Sequence, residues 1–227
     1  MVVSTKSAPV LCTPNERQND SEKSPQNDVD KQDTFANSSL HEACKKGDMD
    51  RVRHILTHGL MGINSKDEKG RTAALMMAAQ QGHCKIFKLR NVSHVYLHGS
   101  KALFHACMDG HITVVKYLLS LGSVDINSIG RYGMTPLMVA ALNGHTHLFD
   151  VLVRKGANAS YVDNKGYNIL HLASAPGDMK MVKHILSKNL VDINAREKSG
   201  KTAAMIAKFH KRNNVYKFLV SQGCQVK

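Results

Sequence analysis

The sequence predicts an all-α solenoid, an array of helix-turn-helix units with hairpin-like connectors, preceded by a disordered arm. Three observations carry that prediction. Gly47, Gly82, Gly110, Gly144 and Gly177 recur at intervals of 35, 28, 34 and 33 residues, each followed by His or Asp, and a sixth, weaker copy places Lys211 where the glycine would stand. Each copy repeats the same helix-start and helix-stop residues, and Ile63-Asn64, Asp125-Ile126-Asn127 and Asp192-Ile193-Asn194 recur between copies. Periods near 33 residues belong to units that contact only their neighbours, so function must be sought along a surface and not in one cleft.

The clearest copy runs from Gly133 to His145, followed by the apolar Leu148, Val151 and Leu152. Thr135 is an N-cap, since its hydroxyl can accept a backbone N–H, and Pro136 suits the first helical position because the proton it lacks would have no partner there. Ala140-Ala141 lets neighbouring helices approach closely. Gly144 then closes the first helix, where the chain must often turn left-handed. A second helix ends at Gly156, and Asp163-Asn164-Lys165-Gly166 has the chemistry of a tight turn before the next pair.

This unit resembles the ankyrin repeat, whose fingerprint is a Thr-Pro-Leu-His-x-Ala run. Thr135-Pro136-Leu137 keeps its first three residues; Ser38-Ser39-Leu40-His41-Glu42-Ala43, Lys101-Ala102-Leu103-Phe104-His105-Ala106, Asn168-Ile169-Leu170-His171-Leu172-Ala173 and Thr202-Ala203-Ala204-Met205-Ile206-Ala207 are drifted copies. The resemblance divides the chain into an arm at 1–35 and a domain of six repeats at 36–227. It implies connector tips and a concave helix face as the contact surface.

The array has an irregularity at about 88–98. Thr72-Ala73-Ala74-Leu75 places one extra residue between Gly70 and Gly82, and the interval to Gly110 then falls short. After Ile86, Phe87 and Leu89, the rest of the second helix, its turn and its hairpin give way to Arg90-Asn91-Val92-Ser93-His94-Val95-Tyr96-Leu97-His98. The expectation is a truncated helix, an irregular connector and a stack weakened between repeats two and three. In the alternative, Val92, Val95 and Leu97 pack as a compact variant at no loss of stability.

Residues 1–35 have no apolar periodicity and are rich in Ser, Asn, Gln, Asp and Lys, a composition that cannot build a core. Ser24-Pro25 within them is a candidate phosphorylation site. The first residues lack the apolar core of a secretory signal, and no window reaches the roughly 18 apolar residues of a spanning helix, so membrane insertion is not expected. The five cysteines, Cys12, Cys44, Cys84, Cys107 and Cys224, are scattered and odd in number, which fits a reducing cytoplasm or nucleus. Cys44 and Cys107 stand where Ala141 stands, as small core residues.

No Cys-x-x-Cys, His-Glu-x-x-His, Gly-x-Ser-x-Gly or phosphate-cradling glycine loop is present, so no enzyme, metal or cofactor is expected. Of the thirteen histidines, His83, His111 and His145 follow the repeat glycine, and His41 and His171 follow the fingerprint leucine. Recurrence at one point of the unit gives them a structural reading, bridging backbone groups of adjacent turns.

What remains is charge. The chain carries +13; the arm holds −2, so the repeat domain holds +15, with 27 Lys and Arg against 12 Asp and Glu. Much of this falls in the connectors: Lys66, Lys69 and Arg71, then Arg131 with Tyr132, Lys165 with Tyr167, and Arg196, Lys198 and Lys201. Stacked connectors would line these up as a basic ladder along one edge, with Lys208, His210, Lys211 and Arg212 as a second cluster. The favoured reading is a monomeric, non-catalytic protein-interaction module, an adaptor, scaffold or inhibitor, whose protein partner presents an acidic surface. The alternative is nucleic acid or another polyanion held on the same edge. The absence of Trp and of any reader motif speaks against it.

Overall fold

The computed structural model of the chain describes residues 40–57, 74–88 and 95–227. The arm at 1–35, the connector that carries Ile63-Asn64, Lys66, Lys69 and Arg71, the Thr72-Ala73 step, Cys12, and the stretch 89–94 lie outside the described residues. Within them every regular element is helical. Six pairs follow in order: α1 (40–46) and α2 (Met49–Thr57), α3 (Ala74–Gln80) and α4 (Cys84–Phe87), α5 (Val95–Met108) and α6 (Ile112–Ser120), α7 (Pro136–Leu142) and α8 (Thr146–Arg154), α9 (Ile169–Ser174) and α10 (Met179–Ser187), α11 (Ala203–Phe209) and α12 (Asn213–Ser221).

Odd-numbered helices α3, α5, α7, α9 and α11 pack side by side in one layer, and even-numbered helices α2 to α12 pack in a second. The apolar seam between the layers holds Leu103, Ala106, Leu137, Ala140, Leu170, Ala173, Ala204 and Ala207 from the inner layer against Val115, Leu118, Leu148, Leu152, Val182, Ile185, Val215 and Leu219 from the outer. The small residues permit close approach and the branched ones fill the space, which is what keeps a thin, one-dimensional core dry.

The punctuation expected from sequence is present atom by atom. Thr135, Asn168 and Thr202 accept backbone N–H bonds from Met138, from Leu170 and His171, and from Met205. At each inner-helix end the residue after the glycine donates to a carbonyl five residues back, as His145 does to Ala140 at 3.0 Å and Arg212 to Ala207 at 2.8 Å. All five repeat glycines have φ between +73° and +89°, and Lys211, in the glycine's place, is held at +59°.

The recurring histidines bridge repeats. His83, His111 and His145 each direct Nε2 at a carbonyl of the preceding repeat, those of Lys45 (2.9 Å), Gln80 (2.6 Å) and Met108 (2.9 Å). A carbonyl only accepts, so each ring carries its proton on Nε2 and donates. In the sixth repeat Arg212 Nε takes over, donating to Ala175 O at 3.2 Å. His171 Nε2 reaches forward instead, to Lys201 O at 3.1 Å.

At the irregularity the fold is partly as expected. Helix α4 is cut to four residues and buries only Ile86 and Phe87, whereas α8 buries Leu148, Phe149, Val151 and Leu152. The expected irregular connector is corrected over Val95–His98, which form the first turn of α5. The physical reason is a missing cap. Lys101 stands where Thr135, Asn168 and Thr202 begin their helices, and a lysine cannot accept the N–H groups that would fix a start there, so the helix extends backwards. Across this junction the outer layer still makes contact: Tyr117 Oη donates to Phe87 O at 2.9 Å, and the two rings are tilted at 6.3 Å.

Candidate partner-binding surface

Successive connectors hydrogen-bond to one another, which aligns their tips. Asn164 N donates to Tyr132 O and Lys198 N to Lys165 O, both at 3.0 Å. Each tip is a small hairpin closed on itself, by Gly130 N to Met134 O, Asp163 N to Tyr167 O and Glu197 N to Lys201 O. The Asp163 carboxylate accepts from Lys165 N and Tyr167 N at 2.8 and 2.9 Å, and Glu197 accepts from Ser199 N at 2.9 Å and Lys201 N at 3.1 Å. Both carboxylates are buried. Burial alone would raise the Glu197 pKa, but its hydrogen bonds from Ser199 and Lys201 outweigh that and hold it below the usual carboxylate value. The tip acids are thus turned inward while the tip cations face solvent.

The seven described cations and aromatics of the sequence-derived ladder part into two groups, with Tyr167 and Lys201 between them. Arg131, Tyr132 and Lys165 are exposed. The Arg131 guanidinium lies over the Tyr132 ring at 4.6 Å, and the Lys165 ammonium makes no bond to a described residue. Arg196 and Lys198 are exposed yet engaged: Arg196 donates to Gly200 O (2.7 Å), Gln225 Oε1 (3.2 Å) and Lys227 O (2.7 Å), and Lys198 Nζ donates to Asn164 O at 2.8 Å across to the previous connector. Tyr167 is half-buried and stacked on His171 at 5.6 Å with 12° between planes. Burial, with Glu197 and Asp163 nearby, raises its pKa. Lys201 Nζ donates to Ser199 Oγ at 3.1 Å and lies 5.7 Å from the Phe209 ring. Lys66, Lys69 and Arg71 lie outside the described residues.

Sequence reasoning missed the apolar part of these tips. Ile129 is 67% exposed and Val162, its counterpart one repeat later, 51%; Tyr161 is exposed beside Val162 and Tyr132 beyond Ile129. A signal existed: two aliphatic residues at the same point of consecutive connectors, with no helix face to join. The two successive tips thus expose Ile129 with Tyr132 and Val162 with Tyr161, alongside the exposed Arg131 and Lys165. Large aromatic area with cations at its edge is the composition from which protein interfaces draw most of their energy.

Among the described residues no three His, Cys, Asp or Glu converge as metal ligands, and no helix is long and apolar enough to cross a membrane. Burial raises the thiol pKa of Cys44 to about 12 and raises that of Cys107 as well, the behaviour of core cysteines.

Relatives place this architecture. The chain is 27% identical over 199 residues to palmitoyltransferase AKR1 of Lachancea kluyveri, a match covering 86% of this chain and 23% of that protein. It is 30% identical over 211 residues to ankyrin repeat and KH domain-containing protein mask-1 of Caenorhabditis elegans, covering 82% of this chain and 8% of that one. With ankyrin repeat and SAM domain-containing protein 6 of Rattus norvegicus it shares 33% over 102 residues, 44% of this chain and 11% of the relative. The chain therefore spans less than a quarter of each relative's length. The ankyrin repeats pattern itself matches three times, over residues 20–91, 75–163 and 137–227. With that coverage and the helix pairs described above, the chain belongs to the ankyrin repeat family.

Proposed function

We propose that this protein is a non-catalytic interaction module that captures a protein partner with an acidic surface on the tips of its third and fourth connectors. The observation that carries the reading is the exposed Ile129–Val162 pair flanked by Tyr132, Tyr161, Arg131 and Lys165. Four of the five recurring histidines, His83, His111, His145 and His171, are each committed to a backbone carbonyl, which argues against acid-base chemistry at them. The match to a palmitoyltransferase involves less than a quarter of that enzyme's length, which does not support carrying its activity over to this chain.

The test is a triple variant, Arg131→Ala with Tyr132→Ala and Lys165→Ala, compared with wild type by affinity capture and mass spectrometry. Partners of net acidic surface are expected to drop by about tenfold or more in the variant. The melting temperature should stay within a few degrees, since none of the three side chains supports the fold. Arg196 is left intact because it ties the connector to residues 225–227. Equal capture by both proteins overturns the reading, and a mobility shift of random duplex DNA at low salt that the triple variant abolishes moves the edge to polyanions.

A further inference from the structure

The face of α11–α12 that points away from α9–α10 presents a groove of about 400 Å³ lined by Met205, Phe209, Tyr216 and Val226, with Lys201 and Lys208 beside them. Phe209 is 72% exposed, more than any other large apolar residue described. Its counterparts Met108 and Leu142 pack against the core in the interior repeats. Lys201 and Lys208 fold over the Phe209 and Tyr216 rings at 5.7 and 5.4 Å. Residues 198–227 contain seven Lys and Arg and no Asp or Glu.

We propose that this face is a second docking site, for an acidic protein segment that seats an apolar side chain among Met205, Phe209, Tyr216 and Val226 while its carboxylates meet Lys201 and Lys208. Two other occupants fit less well. A further repeat in the same register would bury Lys208, which stands where Ala141 and Ser174 are buried, and an ammonium without a partner is costly to bury. A second copy docking the same face would oppose like charges. The acidic segment alone satisfies both the grease and the cations, because the lysines can swing from ring faces to carboxylates while their stems still cover apolar surface.

The site is distinct from the tips of the third and fourth connectors and does not rest on them. It is tested by selecting short random peptides displayed on phage against the full chain, then measuring synthetic selected peptides by fluorescence anisotropy. Selected peptides should be net acidic around an apolar residue, and Phe209→Ser and Lys208→Glu should each weaken them by about tenfold or more. Both substitutions lie on exposed side chains, and unchanged melting confirms that the variants fold. The Arg131, Tyr132 and Lys165 triple variant should bind these peptides as wild type does, which separates failure here from failure of the connector reading. Peptides without an acidic excess, or binding indifferent to both substitutions, overturn the inference. So does a dimer in sedimentation that Phe209→Ser abolishes, or tighter binding of random single-stranded DNA than of any selected peptide.

Discussion

Gly110→Ala isolates what the repeat glycine contributes beyond ending a helix. Gly110 has φ +79°, and a methyl placed there would lie 2.8 Å from Nδ1 and 2.9 Å from Cε1 of His145, closer than real Cβ contacts allow. Two costs follow. A left-handed alanine is disfavoured by about 1–2 kcal/mol. The imidazole must also retreat from the Met108 carbonyl, which it meets at 2.9 Å, at a further cost of about 0.5–1.5 kcal/mol for the lost bond. Together the variant should lose about 1.5–3.5 kcal/mol. The sixth repeat supplies an internal control: Lys211 has the same backbone at φ +59° with no following histidine over it. Lys211→Gly should therefore recover only the backbone part, about 1 kcal/mol, less the entropy of a more flexible unfolded chain. Urea titration of the full chain, read by circular dichroism with midpoint and slope fitted separately, measures both. If Gly110→Ala costs no more than Lys211→Gly gains, the histidine does not constrain the glycine and the bridging argument fails.

The remaining predictions address the core, acid sensitivity and the irregular junction. Leu137→Ala removes a side chain only 1% exposed and should cost about 2–5 kcal/mol by the same titration. His105→Leu should stabilise at neutral pH: His105 Nδ1 is buried without a hydrogen-bond partner among the described residues, at the position held by Val139, Leu172 and Ile206. Burial lowers the His105 pKa, with Asp109 partly opposing. The unfolded chain therefore takes up a proton first as pH falls through about 6.5, and wild type should lose stability below that pH faster than the leucine variant. An equal loss in both proteins would show that His105 is not the acid-sensitive group. Amide exchange should be faster in Cys84–Phe87 than in Thr146–Arg154, because α4 buries two residues where α8 buries four; equal protection would make the junction a compact variant at no loss of stability.

Much of the fold was legible because its determinants are local. A threonine followed by proline, an alanine pair and a glycine fix where a helix starts, how closely it packs and where it stops, and each acts within a few residues of itself. Even Lys211 at φ +59° was readable, because five glycines set the phase that demanded a left-handed residue there. What escaped depends on contacts distant in sequence or on a missing signal. Arg196 reads as one more connector cation until its guanidinium is seen held by Gln225 and Lys227, about thirty residues on. The early start of α5 follows from the lack of a cap at Lys101, and an absent stop signal does not say how far a helix will run.

The same division explains why net charge was an incomplete guide to the binding edge. The +15 of the repeat domain counts every cation alike, but the connectors sort theirs by position in the hairpin. At the fifth connector Arg196 and Lys198 hold the chain to its neighbours, and their charge is spent on carbonyls. At the third and fourth, Arg131 and Lys165 hold nothing in place, and there the adjoining positions are Ile129 and Val162, side chains with no role in the core and a cost in water. A solvated edge needs cations but has no use for exposed aliphatic residues beside two tyrosines. The coincidence of uncommitted charge with unburied apolar surface, at two consecutive tips and again around Phe209, is what distinguishes a contact surface from a merely soluble one.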